Sequence, residues 1–514
     1  MESLARRLAL AFVAAAVAVV AIRGAWLETI PIDGAYYVAK AQSLGRLEGL
    51  RVPWGTGVDA KFFPGLSLLM ALPLRLLGLP WGWILVEAAS LGAAAYLTAR
   101  LGRRLGLGAV GCAAAAALFA VDPLVIKWAS VPYSEIPALT FALAAIEFAF
   151  VASESKPRGA REVAAALVLG IAATMRLEAL IALPILGLIA LRGRSPVRGL
   201  LTAAALGVAA LLPLGAHVAV MSTQGVDPGR IHYVQEFIAN FRWAKYRENV
   251  SSFAFELARA VPPKPHYLAA MPVSVVSAQA AARPIVALVS LVGIAFALLG
   301  TKRIAAGLAL ANLLLYPIIH GLWHYNDARF LIIVWPLQAI FFGSGVEALL
   351  TVLPLVLARG VIRRGNQAQE VVAALLLVVV PACCAALLAC GERTAAIHAG
   401  EWVNATQGPA LEFERKLGEV VAPDATGYFE IGGPMLAMSR RGPVKFTFPI
   451  KDFFEADLPP SAVAAQLERG NAFVVTGEKP DTWREKYVPD PAKRPRFVAV
   501  LEEPRRTVLV YRAP

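Results

Sequence analysis

Residues 64–78 read PGLSLLMALPLRLLG, and whether this run crosses a membrane decides the sidedness of every loop that follows it. The run is apolar but short, and it holds Pro73 and Arg75, whereas a spanning helix needs ~20 predominantly apolar residues. It therefore reads as interfacial or re-entrant. The segment leading into it, residues 30–65, reads IPIDGAYYVAKAQSLGRLEGLRVPWGTGVDAKFFPG, with Asp33 ahead of Tyr36 and Tyr37. From Tyr36 to Leu47, Val38, Ala41 and Leu44 fall at three-residue steps with Lys40, Gln42 and Arg46 between them, which predicts a short helix lying in the interface. A carboxylate at Asp33, just before such a helix, sits where a lipid headgroup would be.

The surrounding composition sets the class. The chain has 514 residues, 58% of them hydrophobic, and its mean hydropathy is +0.61. A soluble core cannot use that much apolar surface, and the surface comes in runs of about 20 residues, the length of a bilayer crossing. The formal charge of +13 is spread as short basic clusters between apolar runs. That distribution orients membrane helices and excludes a nucleic-acid partner. Cys112, Cys383, Cys384 and Cys390 all lie in or beside apolar runs without metal-ligand spacing, so they read as small core hydrophobes. The basic and then apolar start MESLARRLALAFVAAAVAVVA looks like a signal peptide, but the many later runs make it an uncleaved first span.

Eleven spans are expected, over 8–28, 82–100, 107–126, 135–153, 162–175, 177–192, 199–221, 284–300, 304–322, 330–350 and 370–390. With 64–78 left out of the membrane and the N-terminus inside, nearly every basic cluster falls on the cytoplasmic side. These are Arg6 and Arg7; Arg100, Arg103 and Arg104; Lys156, Arg158 and Arg161; Arg192, Arg194 and Arg198; Lys302 and Arg303; and Arg359, Arg363 and Arg364. The short outer loops hold single cations such as Lys127, Arg176 and Arg329, as the positive-inside rule requires. An odd count then puts the C-terminus outside. The fold class is thus a polytopic α-helical membrane protein with a C-terminal extracytoplasmic α/β domain. Residues 1–390 form the membrane domain, with outer loops 29–81 and 222–283, and residues 391–514 form the outer domain. In the tail, helix-like stretches (408–421, 461–470, 481–488) alternate with strand-like ones (425–430, 444–449, 472–477, 496–503, 506–512).

The polar residues at span ends gather on the outer face: Asp33, Lys61, Asp122, Lys127, Glu135, Arg176, Glu178, His320, His324, Asp327 and Arg329. Each has a bland reading beside the functional one. Lys127 and Glu178 suit headgroups. Asp122 precedes Pro123 and suits a helix boundary, and Glu135 after Ser134 suits the first turn of its own helix. Glu87 and Glu347 fall inside spans, where an acid is either functional or packed against a partner.

Taken as a series, PIDGAYYVAKAQSL, KFFPGLSLLMAL, RLGRRLG, VDPLVIKWASVPYSEIPAL, GIAATMRLEALIALP and NDARFLIIVWPL resemble the GT-C superfamily of membrane glycosyltransferases. The resemblance covers about the first 350 residues. It is nearest to bacterial relatives of dolichyl-phosphate-mannose protein mannosyltransferase and of the lipid A aminoarabinose transferase. It implies transfer of a sugar from a polyprenyl-phosphate donor, held in the membrane lipid, to a hydroxyl acceptor on the outer face of a bacterial inner membrane. By position, Asp33 resembles the acid that acts as or places the general base, and Glu135 the second outer acid. Lys61, Arg176 and Arg329 resemble the cations on the donor phosphate, and Tyr36, Tyr37 and His324 are candidate substrate contacts. Many members carry Asp-Glu at the first motif, and here Gly34 follows Asp33, which weakens metal coordination in that loop. No cofactor is implied, and dependence on a divalent metal is left open.

The chemistry fits that implication. The departing phosphate is an anion that fixed cations stabilise, a carboxylate can take the proton of the attacking hydroxyl, and a single displacement inverts the anomeric carbon. Asp33 and Glu135 are expected to share one outer cavity, with Lys61 or Arg329 offsetting their repulsion. Two other readings stand beside this one. A lipid-linked sugar transporter or flippase would show paired, Gly/Pro-broken halves, and none are seen. A non-catalytic lipid-sugar binding partner would keep the site without the transfer.

Overall fold

The computed structural model describes residues 2–27, 30, 32–52, 63–154, 158–223, 242–257, 271–300, 303–321, 328–355, 365–401, 416–417, 419–421, 425–429, 447–449, 460–470, 472–503 and 506–512. The chain divides into two compact units, one of Met1–Gly24 with Ile84–Ile397 and one of Ala25–Trp83 with His398–Pro514.

The protein is a polytopic α-helical membrane protein. Its first unit holds α1 (Glu2–Trp26), most of α4 (Trp81–Arg104), α5 (Ala109–Ala120), α6 (Pro123–Ala129), α7 (Glu135–Glu154), α8 (Gly159–Ala173), α9 (Leu183–Leu191) after a 3₁₀ turn at Leu177–Ala182, and α10 (Pro196–Thr223). It continues with α11 (Trp243–Leu257), α12 (Val273–Leu299), α13 (Arg303–His320), a 3₁₀ turn at Ala328–Val334, α14 (Trp335–Thr351) and α15 (Gly365–Glu401). Among the described residues, seven helical segments are long and apolar enough to cross a membrane, and α5 with α6, bent by 54°, makes an eighth. The remaining three expected spans are helical but shorter: α8, Leu177–Leu191, and the apolar Ala305–Ile318 within α13.

Two helices outrun their apolar stretches. The span expected from residue 284 begins eleven residues earlier, at Val273, and passes through Pro284. The span expected to end at 390 runs on to Glu401. In the second case packing explains the extension. Glu392 is ion-paired with Arg23 near the end of α1, and Gly391 lies against Pro123 and Ile126 of α6, where a Cβ would collide.

Lipid gives helices no hydrophobic reason to associate, so close backbone approach must hold the bundle together. α12 and α14 achieve it through Gly293 and Gly345. A Cβ on Gly345 would run into the Val289 carbonyl, and one on Gly293 into that of Phe341. The Ser344 hydroxyl closes the seam by donating to the Gly293 carbonyl at 3.0 Å. Glu347 resolves into a structural acid: its Oε1 accepts the Gly111 N–H at 3.0 Å, satisfying a donor in the first turn of α5.

The second unit holds α2 (Ile32–Gly45) and α3 (Gly65–Leu77), packed on each other. At 13 residues, α3 is ~20 Å long against a hydrocarbon core of ~30 Å, so it cannot span. Its Leu66, Met70 and Leu74 are buried while Leu68, Leu72 and Leu76 form an exposed apolar stripe, the pattern of a helix lying on a membrane surface. α2 departs from expectation in two ways. It starts at Ile32, which brings Asp33 into its first turn, where the dipole favours a carboxylate. Lys40, expected on a polar face, is fully buried along with Tyr36, Val38 and Ala41, because neighbours cover α2 on more than its apolar side.

The tail forms the expected α/β domain. Strands β1 (Thr426–Phe429), β2 (Thr447–Pro449), β3 (Ala472–Thr476), β4 (Phe497–Glu503) and β5 (Arg506–Tyr511) make a sheet of order β2-β1-β3-β5-β4. β1 is parallel to β2 and β3, and β5 is antiparallel to β3 and β4. α16 (Pro460–Glu468) and α17 (Pro480–Tyr487) supply Val463, Leu467, Trp483 and Tyr487 to the core under Val474, Phe497 and Leu509. The other face buries Phe473, Val475 and Val508.

Candidate active site

The site in the first unit begins where α5 breaks into α6. Asp122 caps α6 by accepting the Leu124 N–H at 2.9 Å, with Pro123 at the first helical position. Its bland reading as a helix boundary is therefore the structural one. α6 carries Trp128, and the turn after it brings Tyr133 edge-on at 5.3 Å between ring centroids. α7 then starts at Glu135, the Ser134 carbonyl accepting the Ala138 N–H at 2.9 Å. An acid in a first turn is favoured by the dipole, but this carboxylate is used elsewhere.

Beyond the end of α8 the chain straightens at Arg176 (φ −150°, ψ 126°), which carries the guanidinium away from the helix axis. Arg176 Nη1 donates to Glu135 Oε1 at 2.6 Å and Nη2 donates to Glu178 Oε1 at 3.1 Å. From the 3₁₀ turn before α14, Arg329 Nε comes within 3.7 Å of the same Glu135 oxygen. The side chains of Glu135, Arg176 and Arg329 are only 2%, 16% and 10% exposed. Burial of this depth makes each ion pair strongly interdependent with its partner.

Aromatic rings wall the cations. The Arg329 guanidinium lies 5.4 Å from the Trp128 and Tyr133 centroids and 5.2 Å from Phe330, while Arg176 lies 5.1 Å from Phe330. Lys127 rests over the outer ring of the set, 4.6 Å from Trp128. On the far side of Phe330, His320 sits 4.3 Å away and stacks on Tyr316, whose hydroxyl donates to the Phe330 carbonyl at 2.6 Å. Glu87, fully buried on α4, feels the Glu135 charge from beneath.

Glu135, Arg176 and Arg329 are thus brought together from three distant parts of the chain. Asp33 is half-buried in the first turn of α2 in the second unit, with Tyr36 and Tyr37 buried behind it. Lys61, His324 and Asp327 lie outside the described residues. Glu178, read from sequence as a headgroup acid, is instead the second partner of Arg176. Sequence reasoning passed over Trp128, Tyr133, Phe330 and Tyr316. The signal for Trp128, Tyr133 and Phe330 was their place directly beside the charged positions, in KWASVPYSE and ARF, whereas Tyr316 lies in an apolar run with no such mark.

No protein-family model matches the sequence, and a search of curated proteins returns no match. Solved structures do match. The chain superposes on ArnT from Cupriavidus metallidurans bound to undecaprenyl phosphate with a TM-score of 0.62 at 16% identity, over 97% of each chain. The apo state of the same protein gives 0.59, again at 16% identity and over 97% of each chain. The arabinofuranosyltransferase AftD from Mycobacteria gives 0.51 at 16% identity, over 98% of this chain and 40% of that one. The chain has the GT-C fold. The cluster of Glu135, Arg176 and Arg329 lies at the start of α7, beyond the end of α8 and before the start of α14.

Proposed function

We propose that this protein is an inverting glycosyltransferase that moves a sugar from a polyprenyl-phosphate donor to a hydroxyl of a protein, lipid or envelope-glycan acceptor. The observation that carries this reading is the likeness over 97% of both chains to ArnT, a protein solved with undecaprenyl phosphate bound. The buried acid–arginine cluster at one end of the bundle supports it. Asp33 takes the acceptor proton, and Glu135 is the second acid. Lys61, Arg176 and Arg329 neutralise the departing phosphate, and Tyr36, Tyr37 and His324 contact substrate. A guanidinium has five donors, so Arg176 and Arg329 can stay oriented by Glu135 and Glu178 and still offer N–H groups to a phosphate. Residues 1–390 act as the catalytic membrane domain and 391–514 as an extracytoplasmic one. The protein resides in a bacterial inner (plasma) membrane, N-terminus in the cytoplasm and C-terminus outside.

The test uses the full chain in nanodiscs with a labelled polyprenyl-phosphate sugar and envelope acceptors. Asp33→Asn should lower transfer by about 10²- to 10⁴-fold, the usual contribution of a general base, while donor binding persists and the wild-type product has the inverted anomer. Donor carried across a proteoliposome bilayer without transfer, equally well by Asp33→Asn, would establish a transporter instead.

A further inference from the structure

At the opposite end of the same helices stands a second polar cluster that the transfer chemistry does not use. α4 ends in Arg100, Arg103 and Arg104, α7 ends in Glu154, and Arg192 follows α9. Glu147, about two turns inside the end of α7, accepts Arg100 Nη2 at 2.6 Å and Arg104 Nη2 at 3.0 Å, and Arg104 Nη1 donates to Glu154 at 2.7 Å. Nearby, Arg194 forks onto Glu162 at 2.8 and 2.7 Å. The acids are thereby consumed. Arg103 and Arg192 face the same cavity, and among the described residues neither has an acidic partner. Arg158, outside the cavity lining, donates through Nη1 to the Arg192 carbonyl at 3.0 Å.

Cations at helix C-termini are expected from the dipole and from the positive-inside rule alone. Two features go beyond that. First, Arg100, Arg103, Arg104 and Arg192 close around a cavity of about 300 Å³, together with Glu154, which Arg104 neutralises, and Phe150, which lies under the Arg104 guanidinium at 5.7 Å. This is the lower end of the ~300–1,000 Å³ range of small-ligand sites. Second, an exposed apolar side chain stands on the span side of each helix end: Tyr96 (62% exposed) one turn before Arg100, Phe148 (50%) before Glu154, and Leu188 (42%) one turn before Arg192. A concave cationic pocket at the ends of helices that carry exposed apolar side chains on their span side matches an amphiphile, with its anion in the pocket and its chains along the helices. A free anion would have no use for the flanks.

We propose that this pocket binds the phosphate headgroup of an anionic phospholipid, using Arg103 and Arg192 as the two unneutralised cations and Arg100 and Arg104 as the pair held in place by Glu147. Basic pockets between spans on the cytoplasmic side are recurrent headgroup sites. Glu147 is the organiser: by fixing two guanidiniums side by side it preforms one wall, so that less order must be imposed when the lipid arrives.

Native mass spectrometry of the purified full chain with phosphatidylglycerol and phosphatidylcholine tests this. The wild type should retain phosphatidylglycerol selectively. Arg103→Ala/Arg192→Ala should bind it about thirty-fold more weakly, the expectation for two cations at a membrane surface. Arg198→Ala, an exposed cation at the same end that does not line the pocket, should retain it. Both replaced side chains are exposed, and an unchanged unfolding temperature in uncharged detergent checks the fold. If the double variant does not fold, each single variant carries the same comparison. Equal retention by double variant and wild type overturns the site, as does equal loss in Arg198→Ala. Displacement of the lipid by inorganic phosphate at equal concentration would overturn the lipid assignment in favour of a free anion.

Discussion

Arg176 and Glu135, 41 residues apart, meet at 2.6 Å with the carboxylate side chain 2% exposed, so the cation expected to hold a donor phosphate reaches the site already paired to an acid. Removing either partner strands a buried charge, which typically costs ~3–5 kcal/mol. Arg176→Ala should therefore lower the unfolding temperature of the detergent-purified protein and its yield, beyond any loss of donor binding. Glu135→Gln in the Arg176→Ala background should restore most of that stability. A thermal-shift comparison of the two single variants and the double variant decides it. Additive losses would mean the pair is not coupled.

Arg329 is held against three rings, and its planar group is what those rings fit. Lysine is a compact charge that neither stacks nor forks. Arg329→Lys should accordingly behave almost as Arg329→Ala in a transfer assay, each at least ten-fold down, in line with a ~2 kcal/mol desolvated cation–π contact. Lys127→Ala removes the cation over Trp128 and should change transfer little. An Arg329→Lys enzyme with wild-type rate would show that charge alone is required.

The topology proposed for the chain makes a binary prediction. Alkaline phosphatase fused after Gly106 should be inactive, and fused after Asn404 it should be active, since the proposed topology puts the first position in the cytoplasm and the second outside. The reversed pattern, activity after Gly106 and none after Asn404, would mean that the region of α3 adds a crossing, contrary to its 13-residue length, while the same result at both positions would mean an even number of crossings between them.

The α12–α14 seam predicts where the bundle tolerates least. Gly345→Ala places a methyl against the Val289 carbonyl, and forced overpacking costs about 1–3 kcal/mol. Gly215→Ala on α10, where an added Cβ meets nothing, should be neutral or slightly stabilising through better helix propensity. Unfolding temperatures of the two variants in the same detergent compare them directly.

Much of the fold was legible before any coordinates. Apolar runs mark helices because backbone polar groups in lipid must be satisfied within the segment, and alternation marked the five strands of the tail. Pro73 and Arg75 marked α3 as too short and too polar for a crossing, and the helix is 13 residues long. The start expected at 284 fell short, since the helix continues through Pro284 back to Val273. The end of the last span was misjudged for another reason: Glu392 is stabilised by Arg23, a partner at the other end of the sequence.

The sequence by itself determined that this is a many-span membrane protein with an α/β tail, that its charged residues sort to opposite helix ends, and that Glu135, Arg176 and Arg329 belong on one face. Those are properties of periodicity and spacing, and each is written locally. Only the tertiary structure decided that Arg176 bridges Glu135 and Glu178, that Arg329 is walled by Trp128, Tyr133 and Phe330, and that Glu347 caps α5 while Glu87 lies buried beneath Glu135. Lys40 makes the same point, since its helix face looked polar and proved fully buried. A charged side chain takes its character from whichever neighbour desolvates or neutralises it, and in a bundle that neighbour comes from a distant helix.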